Sequence, residues 1–170
     1  MLFRSRLVAA DEREAPSFLF ESVEGGERQG RHSILGAHPV VTITSYGAGA
    51  TVRTIVQDHV GLCRSSAEEA ANPLEAVRRA AAHVVLVSPS ETQRKLFPSA
   101  FLGGWVGYAG YDTVRYVEGA SLSNPPRDDR ALPDLSFGFY DGVVVFDHVD
   151  KLVYVVQLVL VTPEADAASQ

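Results

Sequence analysis

Extended apolar runs recur along this chain, several of them alternating with polar positions at a period of two, and they break at glycine, proline and acidic clusters. Phe18, Leu19 and Phe20 open an extended run that ends at Glu21 and Ser22. Glu24, Gly25, Gly26 and Glu27 predict a turn, and Arg31, His32, Ser33, Ile34, Leu35 and Gly36 predict the returning strand. Val41 and Ile43 against Thr42 and Thr44 give a strand with one wet face. Gly47 and Gly49 turn it into a second run over 51–57. The segment 64–71 is polar and alanine-rich with no apolar stripe, and reads as a solvated connector.

Asn72, Pro73 and Glu75 mark a helix start: a capping side chain, a proline whose missing N–H does no harm in the first turn, and an early glutamate. Leu74, Val77, Ala81, Val84 and Val85 follow at helical spacing, so this helix is expected to cover a sheet. Residues 88–98 carry two prolines among polar residues and predict a loop. From Phe101 the pattern changes. Gly103, Gly104, Gly107 and Gly110 interleave with Trp105, Val106 and Tyr108, which in a strand signals close approach of another backbone or ring. After a proline-rich surface loop over 123–133, Leu135, Phe137 and Phe139 alternate with Ser136 and Gly138. Residues 143–146 and 152–161 are apolar on both faces and predict a central antiparallel hairpin, with Asp147, His148, Asp150 and Lys151 in its turn. The fold class predicted is α+β: a β-rich domain of mostly antiparallel strands with one or two covering helices.

Composition narrows the function classes. With 170 residues, 46% hydrophobic, there is enough chain for one buried core. A net charge of −6 argues against a nucleic-acid surface or an anionic membrane surface, which needs a basic patch. The single cysteine, Cys63, forms no internal disulfide, which favours a reducing compartment and a core thiol. The N-terminal apolar run ends at Asp11, too short for a signal-peptide core, and 152–161 spans about half a membrane, so the chain is expected to be soluble.

Candidate chemistry is sparse. The glycines at 104, 107 and 110 do not make a phosphate cradle, because Trp105 and Tyr108 occupy the space a phosphate would need. Asp141, Asp147, His148 and Asp150 match no zinc or calcium ligand spacing, and a solvated turn accounts for them. None of the five histidines sits in a nucleophile motif. Arg115 with Asp112 or Glu118 reads as a structural ion pair. Glu21 and Ser22 leave two readings open. They cap a strand and hydrogen-bond its turn, or they hold the ammonium and carboxylate groups of an amino acid beside an apolar wall.

Two motifs carry a resemblance. Ser17 to Glu24, followed by Gly30, Arg31, Ser33 and Gly36, resembles the N-terminal signature of anthranilate synthase component I, the alpha subunit. Gly103, Gly104, Val106, Gly107, Tyr108, Gly110, Tyr111, Asp112, Val114, Arg115, Tyr116 and Glu118 are similar to the family's glycine-tyrosine motif, in the same order. Tyr140 with 143–148 matches a third segment. The resemblance runs from about Asp11 to Val161 and looks nearest to the plant and algal branch. His32 departs from it, standing where the family has tyrosine.

The resemblance implies a lyase that makes anthranilate and pyruvate from chorismate as the first committed step of tryptophan biosynthesis. It implies Mg2+ in the full-length enzyme and ammonia from a glutamine amidotransferase subunit, component II. Chorismate and Mg2+ are held by a catalytic chorismate-binding domain outside this chain, so no catalytic, metal or cofactor residue is expected here. The N-terminal domain carries part of an allosteric feedback site for L-tryptophan. By the family's motif that site falls on Ser22 and Glu21, with Leu19, Phe20, Arg31 and Ser33 as neighbours. The expected organisation is a truncated or disordered start over 1–10, the component I N-terminal domain over 11–162, and a tail or linker over 163–170. The expected location is the plastid stroma in a plant or alga, and the cytoplasm otherwise. Two alternatives stand beside this reading: the N-terminal domain of aminodeoxychorismate synthase component I, and a stand-alone amino-acid-binding module.

Overall fold

The computed structural model describes residues 16–24, 28–46, 51–57, 63–87, 89–122, 124 and 127–161. The expected turns at 25–27 and 47–50, the start over 1–10 and the tail after Pro163 lie outside the described residues, as does the side chain of Cys63.

Strands β1 (Ser17–Glu24), β2 (Arg28–Ala37), β3 (Val41–Tyr46), β4 (Thr51–Gln57) and β5 (Cys63–Glu69) come first, followed by helices α1 (Leu74–Ala82) and α2 (Glu91–Arg94). Strand β6 (Gly104–Ala109) leads into a 3-10 turn, Tyr111–Thr113, and the short helix α3 (Val114–Glu118). Strands β7 (Leu135–Tyr140), β8 (Gly142–Asp147) and β9 (Leu152–Gln157) complete the described chain. They form two antiparallel sheets, ordered β1-β2-β8-β9 and β5-β4-β3-β7-β6, which gives the α+β architecture that the alternation predicted.

One long ribbon joins the sheets. The β2–β3 segment pairs with the β8–β7 segment from His32↔Asp147 through Gly36↔Val143 to Val41↔Phe139 and Ser45↔Leu135. Between Gly36↔Val143 and Val41↔Phe139 the β2–β3 side carries one extra residue. His38 there has φ 55, and the Val40 N–H donates to the Phe139 carbonyl at 2.9 Å. An inserted residue bends and twists a ladder, and here it lets one ribbon serve two sheets.

The main core lies between the second sheet and α1. Ile43, Val52, Leu135 and Ala76 are buried, with Val41, Leu74, Val77, Ala80, Trp105 and Phe137 packed around them. Burying each large aliphatic side chain contributes about 1.5–3 kcal/mol. Asn72 starts α1 by accepting the Leu74 N–H at 3.1 Å. Where the sheets meet, Phe18 stacks edge-on against Tyr140, ring centroids 4.8 Å apart, and lies near Phe101. Gly36 leaves the room: a Cβ there would come within 2.8 Å of Phe18 Cζ.

Four expectations need correction. The polar segment 64–71 is not a connector but mostly strand β5, paired with β4 from Thr51↔Glu69 to Gln57↔Cys63. It is an outermost strand with both faces wet, so ladder hydrogen bonds hold it without an apolar stripe. The covering helix stops at Ala82, and Val84, Val85, Leu86 and Val87 are exposed beyond it. Residues 91–94, expected as loop, form α2, because Ser90 and Gln93 cap each other reciprocally. The β8–β9 hairpin exists, but β9 is an outermost strand ending at Gln157, and Val155 is 82% exposed.

Candidate functional site

Strand β1 is one of the two outermost strands of the first sheet, and alternation divides its side chains between two faces. Phe18 and Phe20 share one face, their rings 4.8 Å apart. Leu19 and Glu21 share the other, opposite Leu35 and Ser33. Leu19 is 42% and Phe20 50% exposed, and Glu21 is exposed. Leu19 and Phe20 therefore do not line the same wall. The ladder breaks between Glu21↔Ser33 and Val23↔Gln29, so Ser22 alone faces the three residues Gly30, Arg31 and His32. The side chain of Ser22 lies outside the described residues.

Arg31 and Ser33 are engaged from the other side. Arg31 Nε and Nη2 donate to Asp147 Oδ2 at 3.0 and 2.9 Å, and Nη2 donates also to Asp150 Oδ2 at 2.8 Å. Ser33 Oγ lies 2.7 Å from His148 Nε2. His32 Nε2 is 3.3 Å from Asp147 Oδ2. The structure thus joins Arg31, His32 and Ser33 to the turn after β8. The turn residues Val149, Asp150 and Lys151 are exposed as expected, but Asp141 and Asp147, which flank β8, are buried and do not belong to a solvated turn.

The Asp147 carboxyl is held down at about 2: the Asp150 N–H lowers it most, burial opposes, and the Arg31 guanidinium and the Val149 N–H lower it further. Because its pKa falls on folding, the stabilisation is complete above the ordinary carboxylate range, declines progressively as the pH falls below that range, and is gone once the pH has dropped through about 2. Sequence reading missed this cluster as a unit. Arg31 and Asp147 are 116 positions apart, and the available signal was an acidic, His-containing strand end answering an Arg-His pair on another strand.

The glycine-tyrosine motif builds scaffold. A Cβ on Gly107 would collide with the Ser136 carbonyl oxygen and come within 2.6 Å of Phe137 Cα, and one on Gly103 would meet the Tyr140 carbonyl at 2.8 Å. Tyr116 donates to Asp134 Oδ2 at 2.7 Å, and burial with this partner pushes its hydroxyl pKa well up. Arg115 pairs with Asp112 at 2.8 Å and donates to the Leu122 carbonyl. Among the described residues, no three His, Cys, Asp or Glu side chains converge on a metal position, and the acidic turn at 147–150 is taken up by Arg31 and its own backbone.

No family model matches the chain. The chloroplastic anthranilate synthase alpha subunit 2 of Arabidopsis thaliana is 45% identical over 158 residues, covering 90% of this chain and 24% of the relative. The chloroplastic alpha subunit 1 of Oryza sativa subsp. indica is 44% identical over 160 residues, covering 91% and 26%. Anthranilate synthase component 1 of Thermus thermophilus is 39% identical over 145 residues, covering 85% and 27%. The crystal structure of anthranilate synthase component I from Streptococcus pneumoniae shares the fold, with a TM-score of 0.54 and 22% identity over 87% of this chain and 29% of that one. The chain spans about a quarter of the length of the relatives it matches. It is homologous, at the level of the family, to the N-terminal domain of anthranilate synthase component I.

Proposed function

We propose that this chain is the regulatory domain of an anthranilate synthase component I and carries one wall of an L-tryptophan feedback site at β1. The complete protein is a lyase that makes anthranilate and pyruvate from chorismate. A further, chorismate-binding domain holds its Mg2+, and a glutamine amidotransferase subunit supplies its ammonia. Identities of 42–45% with the plant relatives, against 31–39% with the bacterial ones, support the plant and algal branch, and a plastid location is proposed with it.

The observation that carries the site is the ladder break at Ser22 on an outermost strand, flanked by the exposed Glu21 and the half-exposed Leu19 and Phe20. Tryptophan offers a zwitterionic head and a large apolar ring, so its site needs charge-assisted hydrogen bonds beside apolar walls. The Glu21 carboxylate faces solvent and suits the ammonium. The Ser22 hydroxyl suits the carboxylate. Arg31 and Ser33, committed to Asp147, Asp150 and His148, serve as the frame behind these contacts. Phe18 packs inward on Tyr140 and fixes the strand. Because β1 supplies only one wall, tryptophan bridges this domain and the next and favours a less active arrangement of the pair.

The test is anthranilate formation from chorismate with ammonia and Mg2+, comparing this chain with the protein that includes the chorismate-binding domain. The longer protein is expected to turn over and to be inhibited by L-tryptophan, and the chain alone to form no anthranilate. Robust turnover by the chain alone, or aminodeoxychorismate as the product of the longer protein, would refute the proposal.

A further inference from the structure

The break in the β1–β2 ladder is asymmetric, with Ser22 on one side and an arch of three residues, Gly30, Arg31 and His32, on the other. This arch is outside the β1 register, and its fixed points lie across β2. The Arg31 carbonyl accepts the His148 N–H at 2.8 Å, and His32 is in register with Asp147. The Arg31 side chain is held by Asp147 and Asp150. Asp147 is the shared anchor. Its Oδ2 takes both Arg31 donors and faces His32, while its Oδ1 accepts the Val149 and Asp150 N–H groups at 2.9 and 3.0 Å and so shapes the turn.

We propose that Asp147 is a positioning residue for the L-tryptophan site: through Arg31 it holds the Gly30–His32 arch in the one shape against which Ser22 is presented. Ligand-contacting groups keep their geometry only when the groups behind them are locked, and bulges re-aim the residues at a strand edge. The inference rests on the reading of Ser22 as part of that site. Asparagine at 147 separates the two jobs of the carboxylate. It keeps an acceptor for the turn N–H groups but turns an NH2 donor toward the Arg31 donors, so the turn survives and the arch is released.

The experiment uses the complete enzyme and measures kcat and KM for chorismate without tryptophan, the melting temperature, and the L-tryptophan concentration giving half-inhibition. Asp147→Asn is expected to raise that concentration about tenfold, with kcat and KM within about twofold of the parent. Asp150→Asn, which removes only the exposed arm, is expected to raise it less and in the same direction. A purely structural role would lower the melting temperature and leave the inhibitory concentration unchanged, which would overturn the proposal. Should Asp147→Asn fail to fold, Asp150→Asn carries the test, and an unchanged inhibitory concentration there overturns it. Ser22→Phe separates the two levels. Relief of inhibition by Ser22→Phe without relief by the Asp variants removes Asp147 from the site and keeps Ser22 in it. Unchanged inhibition in all of them overturns the underlying reading as well.

Discussion

Phenylalanine in place of Ser22 is expected to release the complete enzyme from tryptophan inhibition while it still turns over chorismate. Ser22 sits at the ladder break, where one residue of β1 faces three of β2. In the proposed site a hydroxyl there would supply a hydrogen bond to a charged head group, worth about 1.5–3 kcal/mol. The substitution deletes that donor and adds a ring to a wall shaped for the ligand. Each 1.4 kcal/mol is about tenfold in affinity, so the half-inhibitory concentration should rise by at least about tenfold. Titration of L-tryptophan against the initial rate of anthranilate formation measures it. An unchanged inhibition curve would take Ser22 out of the site.

Alanine in place of Gly107 should have the largest effect on stability. Its Cβ would be driven into the neighbouring strand, onto the Ser136 carbonyl and Phe137 Cα. Backbone on the far side of a ladder cannot move aside as a side-chain end can, and β6 to β7 pairing from Gly104↔Tyr140 to Ala109↔Leu135 would have to part. Overpacking costs about 1–3 kcal/mol where side chains can give, so the loss here should reach about 3 kcal/mol or more. Gly142 is the control. A Cβ there would press only on the side-chain end of Gln157, with Oε1 at 3.0 Å, and touch the Val156 carbonyl at an ordinary 3.9 Å, so its replacement by alanine should cost less than about 1 kcal/mol. Urea midpoints of the two variants and the parent measure the difference, and equal midpoints would mean that β6 does not approach β7 as described.

Those glycines were legible in the sequence because the same physics that makes them necessary makes them rare. Of the four glycines among the aromatics, Gly104 has room and is set apart by its φ of 129, while Gly103 and Gly107 lie where a neighbouring backbone or side chain is too close for a Cβ. Gly36 under Phe18 and Gly107 against Phe137 are both such places. The two-residue alternation was equally plain in β3 and β7, each of which has one face on the core and one toward solvent or the sheet junction. Strand β5 was not legible, since a strand at a sheet edge with two wet faces leaves no hydrophobic period to read. The end of α1 was missed because Val84 and Val85 continue its spacing while lying beyond the core that would reward them. The pairing of Arg31 with Asp147 was missed for a different reason. Arg31 and Asp147 meet only because the long ribbon brings β2 beside β8, and no local pattern encodes a contact between residues so far apart in the chain. At the candidate site, the motif singled out Ser22 and Glu21, but only the ladder shows that Leu19 and Phe20 face opposite ways and that Arg31 is held by two carboxylates.

Half a binding site has a direct thermodynamic signature. Calorimetric titration of L-tryptophan into this chain alone, and into the same chain extended through the chorismate-binding domain, should give binding heat in the extended protein and little or none in the chain alone. Tight binding by the chain alone would contradict a site shared between two domains and would instead mark a self-sufficient amino-acid-binding module.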